Sequence, residues 1–223
     1  LVFGRGGDSV GLDPALETDG ESFKVCDNIY DTLVRFRKET TDIEPGLAAS
    51  WTVSDDRLKW TFVLRAGVRF HDGSPMNADA VVFSLGRQFK QDHPHHKVEG
   101  AYQYWNSMSM SDIVKDVRRV EDLTVEVELH RPTAPFLSNL AMNFCSIVSP
   151  TAVNKWGEDY SRHPIGTGPY KFVQWIKDDR IVLERNTEYW DGVPPVERLM
   201  FRSIPENSVR LIALSQGAIN GMD

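Results

Sequence analysis

The chain has 223 residues, of which 41% are hydrophobic and 26% are charged, and its formal net charge is −7. This composition is typical of a globular protein with a substantial core. No run of about 18 apolar residues is present, so the sequence predicts no membrane-spanning helix. No leader with basic and then apolar residues precedes Leu1, so we expect any export signal to be missing from this sequence. The negative charge and the scattered Arg and Lys residues argue against nucleic acid as a partner.

The first part of the chain predicts a short strand followed by a helix. Leu1-Val2-Phe3 has the composition of a strand, and a Gly-rich polar segment leads from it to Leu12-Asp13-Pro14. From Ser22 to Phe36, apolar residues recur at the spacing of one helix face, namely Phe23, Cys26, Ile29, Tyr30 and Leu33. The pattern predicts a helix over this stretch.

A hairpin and a capped helix follow. Apolar and polar residues alternate from Lys59 to Arg65, with only Val63 out of step, which predicts a half-buried strand. Asp55-Asp56-Arg57 supplies a turn that joins this strand to an upstream one. Asn77 precedes Ala78–Leu85 and has the side chain of a helix N-cap, so a helix is predicted there.

The rest of the chain predicts further hairpins and short helices. In order, these are a hairpin within Ile113–Leu129, a short helix that ends at Leu140, a helix that begins at Ser149-Pro150, a hairpin of Tyr170–Trp175 and Arg180–Arg185, a strand over Arg198–Ser203 and a helix over Glu206–Gln216. Ala218–Asp223 has the pattern of a strand that is just beginning. We therefore expect the sequence to be a piece of a longer protein, since an unfinished sheet edge would otherwise be left unpaired.

Three motifs that suggest chemistry are better explained by local structure. His93-Pro94-His95-His96 offers three imidazoles, but the proline and the lack of a carboxylate beyond Asp92 favour a solvated loop over a physiological metal site. His71-Asp72 has no nucleophile to activate, and Gly-Ser-Pro after it marks a turn. Gly166-Thr167-Gly168 is followed by Pro169 and a strand, which favours a backbone turn over a phosphate-binding loop.

The two cysteines, Cys26 and Cys145, both stand among apolar neighbours. One disulfide is possible in an exported protein, but two buried free thiols are the preferred interpretation because cysteine is among the most buried residue types. Two cysteines do not make a structural zinc site.

Taken together, the motifs resemble the family 5 solute-binding proteins of ABC importers, which are receptors for oligopeptides, dipeptides, nickel and haem. The resemblance covers almost the whole chain and is carried by Gly7–Pro14, Asn28–Val34, Pro45–Leu85, His163–Tyr170 and Asn186–Gly192. Asp92–Gly100, Leu140–Phe144 and the Gly166 turn are most similar to the dipeptide-binding branch. Lys59 departs from that pattern, in which Thr or a β-branched residue is more usual.

The resemblance implies an α/β fold, the first lobe of a periplasmic-binding-protein-like type II (class C) architecture with an inserted α+β subdomain. It implies mixed sheets with hairpins and flanking helices. Residues 1–31 and 163–223 are expected to form the main lobe, which would be discontinuous and incomplete, and residues 32–162 the inserted subdomain. The second lobe is expected to be absent from this chain, so we expect the chain by itself to have little or no affinity for peptides.

Six residues are candidates for ligand contact. Tyr102 and Trp105 follow the polar segment Glu99-Gly100-Ala101, where aromatic side chains either wall a cleft or pack on the sheet of the insert. The resemblance favours the cleft. It also implies that backbone groups of Thr18-Asp19-Gly20 extend a peptide as an added strand, with a plain exposed loop as the alternative. Phe144 matches a pocket-facing position of nickel-binding relatives, and an apolar side chain there disfavours anionic metal chelates.

The function that the resemblance implies is that of an ABC-importer receptor that captures dipeptides or short oligopeptides. We expect a monomer that passes its ligand to permease subunits in the membrane, without catalysis, cofactor or metal. Its expected location is periplasmic, or extracytoplasmic with a membrane anchor. A receptor for a nickel chelate or for haem is the alternative within the family. A hydrolase is disfavoured because no Ser-His-Asp order, set of metal-binding carboxylates or nucleotide loop supports it.

Overall fold

A computed structural model describes residues 1–97 and 101–223. The strands are β1 (Val2–Arg5), β2 (Val34–Phe36), β3 (Ile43–Pro45), β4 (Ala48–Val53), β5 (Lys59–Leu64), β6 (Val114–Glu121), β7 (Thr124–Leu129), β8 (Tyr170–Ile176), β9 (Arg180–Arg185), β10 (Arg198–Ser203) and β11 (Gly221–Met222). The helices are α1 (Gly20–Ile29), α2 (Ala78–Gly86), α3 (Gln103–Ser107), α4 (Met110–Ile113), α5 (Phe136–Leu140), α6 (Pro150–Trp156) and α7 (Asn207–Ser215). Each helix of the described ranges is too short or too polar to cross a membrane.

The larger sheet is mixed and draws its strands from the two ends of the sequence. Its strand order is β11-β1-β10-β9-β8. β1 runs parallel to both β10 and β11, whereas β9 is antiparallel to both of its neighbours, β10 and β8. On β9, Ile181 and Leu183 turn to one face and are fully buried, and α1 packs on the neighbouring β8. The first strand therefore becomes part of a sheet only after residues nearly 200 positions away have folded.

The second sheet is antiparallel, with the order β4-β5-β7-β6, and it confirms both predicted hairpins of this region. On β5, Phe62 and Leu64 are buried while Val63 is 44% exposed, so the residue that broke the apolar alternation lies on the solvent face. α2 covers the buried face and begins as predicted, because the Asn77 side chain accepts a hydrogen bond from the Ala80 N–H.

The predicted helix from Ser22 to Phe36 is wrong beyond Ile29. Tyr30 still donates its N–H to the Cys26 carbonyl, but its own backbone is extended. The Ile29 carbonyl, left free at the helix end, accepts a hydrogen bond from the Gly168 N–H at 2.9 Å. Val34–Phe36 then pairs with β3 instead of continuing the helix. A partner more than 100 residues away thus ends α1, and local spacing carries no sign of it.

Buried apolar side chains form two clusters, one around the antiparallel sheet and one between α1 and the mixed sheet. Ala152 and Val153 of α6 belong to the second cluster, together with Val25 and Ile29 of α1. A helix from the predicted insert thus packs beneath the mixed sheet. The limits of the main lobe (1–31 and 163–223) and of the insert (32–162) remain a prediction.

Both cysteines are buried free thiols, as preferred from the sequence. Burial raises the pKa of each thiol well above its usual value. Neither thiol is therefore poised to react at neutral pH.

Candidate ligand-binding site

An open cavity of about 350 Å³ lies between α1, α3 and the segment that follows α5. Its walls are Phe23, Asp27, Phe36, Tyr104, Ala141, Met142, Asn143 and Phe144, and we name it the aromatic cavity. Phe23 and Asp27 stand four residues apart on α1, so both project from one face of the helix. A concave wall of aromatic side chains with few polar groups is the usual form of a small-molecule site.

The rings of the aromatic cavity hold one another in place. Tyr104 meets Phe23 edge to face, with 5.5 Å between ring centroids, and lies nearly parallel to Phe144 at 6.1 Å. Trp105 supports Phe144 from behind in a perpendicular contact at 6.2 Å and stacks on Phe89 at 5.5 Å. Such contacts fix ring positions before a ligand arrives, which lowers the entropy lost on binding.

A second concavity of about 240 Å³ adjoins the first, and we name it the polar cavity. It shares Asp27, Ala141 and Asn143 with the aromatic cavity and is further lined by Tyr30, Asp31, Thr32, Arg35, Gly46, Ser146, Pro169 and Tyr189. Two of its charged groups, Asp31 and Arg35, already form hydrogen bonds or ion pairs within the protein. Asp31 accepts hydrogen bonds from Thr167, Tyr189 and Trp190 at 2.8–3.0 Å. Arg35 is paired with Glu44 at 2.8 Å and with Asp191 at 2.7 Å.

Asp27 differs from those groups. Its side chain remains accessible to solvent, yet it lies in the concavity that both cavities share. The surrounding protein partly desolvates the carboxylate, which raises its pKa, and a hydrogen bond from Asn143 opposes that rise. Within residues 1–97 and 101–223, no Lys, Arg or His side chain forms an ion pair with it.

The predicted peptide-contacting segment Thr18-Asp19-Gly20 lies one turn before Phe23. Thr18 and Gly20 are exposed, and a Cβ atom added to Gly20 would meet no atom within 4 Å, so the surface beside these two residues is unobstructed. Asp19 caps α1, since its Oδ1 atom accepts a hydrogen bond from the Ser22 N–H at 2.8 Å. The proposed ligand contact of this segment remains a prediction.

Of the three predicted aromatic contacts, only Phe144 lines the cavity, and its ring is itself only 1% exposed. Trp105 is 0% exposed and donates its indole N–H to Ser111, and Tyr102 is 2% exposed and donates its hydroxyl to the His95 carbonyl. The structure therefore places both inside the core, because the helical turn that starts after Tyr102 directs Tyr104 to the open side. Glu99 and Gly100, which precede them, lie outside the described residues.

Sequence reasoning missed Phe23, Asp27 and Tyr104 as wall residues. Tyr104 lies between Tyr102 and Trp105, the two predicted ligand contacts, but nothing in the local sequence distinguishes its partly exposed ring from their buried rings. Asp27 gave no local signal, because it is an exposed helix residue outside the buried face of α1, which is formed by Ser22, Val25, Cys26 and Ile29.

The histidine motif is more ordered than the solvated loop we expected. His93 packs its ring edge to face on Phe83 at 4.8 Å, His95 hydrogen-bonds Asn154 at 2.7 Å and His96 hydrogen-bonds the Arg87 carbonyl at 2.8 Å. In the part of the chain that the structure describes, no group of three His, Cys, Asp or Glu side chains could hold a metal ion. The imidazoles thus serve packing.

His71 and the Gly166-Thr167-Gly168 turn contact each other. The His71 N–H donates to the Gly166 carbonyl, and its Nε2 atom lies 2.9 Å from the Gly168 carbonyl oxygen. Burial lowers the pKa of His71 to about 4, so the ring is neutral at pH 7 and its Nε2–H donates to that carbonyl. Both motifs are structural, as the sequence indicated.

The chain has a mixed sheet and an inserted antiparallel sheet, and its fold is that of the type II periplasmic binding proteins. In agreement, periplasmic binding protein DppA from Helicobacter pylori in complex with peptide STSA matches 98% of this chain with a TM-score of 0.92 and 42% identity, and the match covers 45% of that protein. Residues 42–223 match the model for bacterial extracellular solute-binding proteins, family 5. The chain belongs to this family.

Two curated relatives are of nearly equal similarity. The dipeptide-binding protein of Escherichia coli (strain K12) is 40% identical over 97% of this chain, and heme-binding protein A of Haemophilus influenzae is 39% identical over 93%. The chain spans 43% and 40% of the lengths of these two proteins. The family is one of solute-binding proteins, which bind their ligands without converting them.

Proposed function

We propose that this protein is the substrate receptor of an ABC importer and that it captures dipeptides or short oligopeptides. The observation that carries the proposal is the aromatic cavity beside the N-terminus of α1, in a chain of the solute-binding family. The similarity to a dipeptide-binding protein and to a structure that holds peptide STSA supports peptide as the ligand class.

Binding would combine tolerant and directional contacts. The rings of Phe23 and Tyr104, which pack in front of the buried Phe144, offer apolar surface that accepts side chains of varied shape, because stacking and van der Waals contact demand little exact geometry. The backbone of Thr18-Asp19-Gly20 would pair with the peptide main chain, which every peptide shares. Closure of a second lobe over this wall would exclude water and strengthen those hydrogen bonds.

Delivery of the ligand to the permease subunits in the membrane would depend on the same closure of the two lobes. A receptor that closes on its ligand presents a different surface to the permease subunits than an empty one does, and no bond needs to be made or broken. We propose that the receptor acts as a monomer in the periplasm, or with a membrane anchor on the outer face of the cytoplasmic membrane. These points rest on family membership.

Haem is the second candidate ligand, because one relative of 39% identity is a heme-binding protein. Tyrosine is an established haem ligand, and Tyr104 is the tyrosine that lines the aromatic cavity. A nickel chelate is disfavoured, since Asp27 would repel an anionic complex and Phe144 offers it no polar contact.

Native mass spectrometry of the protein, purified as its gene encodes it, tests the proposal. We expect mass additions of dipeptides or tripeptides, and addition of a dipeptide mixture should return every peptide unchanged after release. Bound haem with a Soret absorption band would instead support the second candidate. Cleaved peptides would contradict a receptor of either kind.

A further inference from the structure

Asp27 is an exposed carboxylate at a helix end that disfavours negative charge. It lies in the last turn of α1, where the partial negative charge of the helix C-terminus opposes an acidic side chain, and that turn has no basic residue. The cavity walls also remove part of its hydration. While the side chain is exposed to solvent this opposition is modest, and it grows when a ligand covers the carboxylate and excludes water.

No such cation comes from the described residues. Arg35, which lines the polar cavity, is already paired with Glu44 and Asp191. Lys24, one turn away on α1, is paired with Glu21 and with Asp223. Asn143 contributes a neutral hydrogen bond only. The carboxylate therefore faces the aromatic cavity with its charge uncompensated.

The chemistry around Asp27 defines what would compensate it. One side of the aromatic cavity is apolar, formed by Phe23, Tyr104 and Phe144, and the acidic group stands at its junction with the polar cavity. A ligand with an apolar stem and a terminal ammonium or guanidinium group fits both features. Aromatic rings next to the carboxylate add cation–π attraction for the same kind of group.

We infer that Asp27 is a specificity-determining residue that selects peptides placing a cation in the aromatic cavity. The inference rests on the proposed function and adds the ligand class within it. Two groups of a peptide supply this chemistry, the ammonium of a lysine side chain and the ammonium of the peptide N-terminus. Binding converts an unpaired carboxylate into a charge-assisted pair.

The test uses four dipeptides and three forms of the protein as its gene encodes it. Ala-Lys and Ala-norleucine share the same side-chain stem, but only the first has the terminal ammonium, and each is used with a free and with an acetylated N-terminus. The proteins are the wild type, Asp27→Asn, and Asp55→Asn as the matched control. Asp55 is exposed in the β4–β5 turn and lines neither cavity, so its variant changes the net charge equally.

We expect Asp27→Asn to weaken binding of at least one cationic peptide by about tenfold or more, while binding of N-acetyl-Ala-norleucine stays within about twofold. If Asp27→Asn weakens binding of Ala-Lys but not of Ala-norleucine, the cation is the lysine side chain. If it weakens binding of the free peptides but not of the acetylated ones, the cation is the peptide N-terminus. Asp55→Asn should change no affinity. The thermal midpoint of Asp27→Asn should equal or exceed that of the wild type, because the variant removes a charge that the helix opposes.

Two results would overturn the inference while leaving the receptor function intact. One is equal weakening of all four peptides by Asp27→Asn, and the other is no weakening of any. If the folded wild-type protein binds none of the peptides, the proposed function itself fails for this ligand class, and the inference fails with it.

Discussion

Replacement of Gly168 by alanine is expected to disrupt the junction that ends α1. A Cβ atom at Gly168 would lie 2.6 Å from the Ile29 carbonyl carbon and 2.7 Å from its oxygen, and both are backbone atoms. The backbone at Gly168 does not have a positive φ, so conformational strain is not the cause. The clash alone must push the two segments apart, and the 2.9 Å hydrogen bond from the Gly168 N–H to Ile29 would be lost with it.

The expected cost adds two terms. Overpacking against a rigid neighbour costs about 1–3 kcal/mol, and loss of a buried backbone hydrogen bond costs about 0.5–1.5 kcal/mol. The sum is about 1.5–4.5 kcal/mol, which lowers the thermal midpoint of a domain of this size by about 3–18 °C. Because Ile29 lies next to Tyr30 and Asp31 of the polar cavity, ligand affinity should fall as well.

Differential scanning calorimetry measures the change, with Gly20→Ala as the control. Gly20 is also a glycine beside α1, but a Cβ atom there has nothing within 4 Å, so the same substitution should leave the thermal midpoint unchanged or slightly raised. A Gly168→Ala variant that is as stable as the wild type would refute the close approach of this turn to α1. If Gly168→Ala and Gly20→Ala lowered the thermal midpoint equally, the loss would not come from the contact between Gly168 and Ile29.

Three further predictions concern buried polar groups. Arg87 and Asp13 form a fully buried pair with hydrogen bonds of 2.6 and 2.8 Å, so Arg87→Met should cost about 3–5 kcal/mol in urea unfolding, whereas the double variant Asp13→Leu, Arg87→Met should regain most of that loss. Burial raises the pKa of Glu17 to about 7, so the folded state holds its proton more tightly than the unfolded state. Stability should fall by about 2–3 kcal/mol between pH 5 and 8 relative to Glu17→Gln, and parallel pH profiles of the two proteins would contradict this. Cys26 and Cys145 should resist a thiol reagent in the native protein and yield two thiols after unfolding, whereas rapid native labelling or a disulfide would contradict the structure.

Local patterns predicted most elements because their causes are local. Asn77 caps α2 through its own side chain, and the alternation in β5 reflects one buried and one exposed face. The family motifs likewise led to the correct fold class. Where the outcome depended on a distant contact, local patterns failed. The end of α1 is set by Gly168, and the spacing of apolar residues after Ile29 fits a helix as well as the strand that forms.

The residues that line the aromatic cavity were predicted less well than the fold, for a similar reason, and ligand contact by the six candidate residues remains a prediction. Tyr102, Tyr104 and Trp105 lie within four positions of one another, and only the packing of α3 decides which ring faces the cavity. Composition does not encode that choice. Asp27 was overlooked because an acidic residue in a helix is ordinary until its neighbours are known, and its uncompensated charge appears only in three dimensions.

The most direct test of the central claim is a crystal structure of the protein, as its gene encodes it, with a bound dipeptide. We predict that the peptide lies against Phe23 and Tyr104, with its main chain beside Thr18-Asp19-Gly20. A peptide bound elsewhere, with the aromatic cavity open to solvent, would contradict the assignment of this wall as the ligand site.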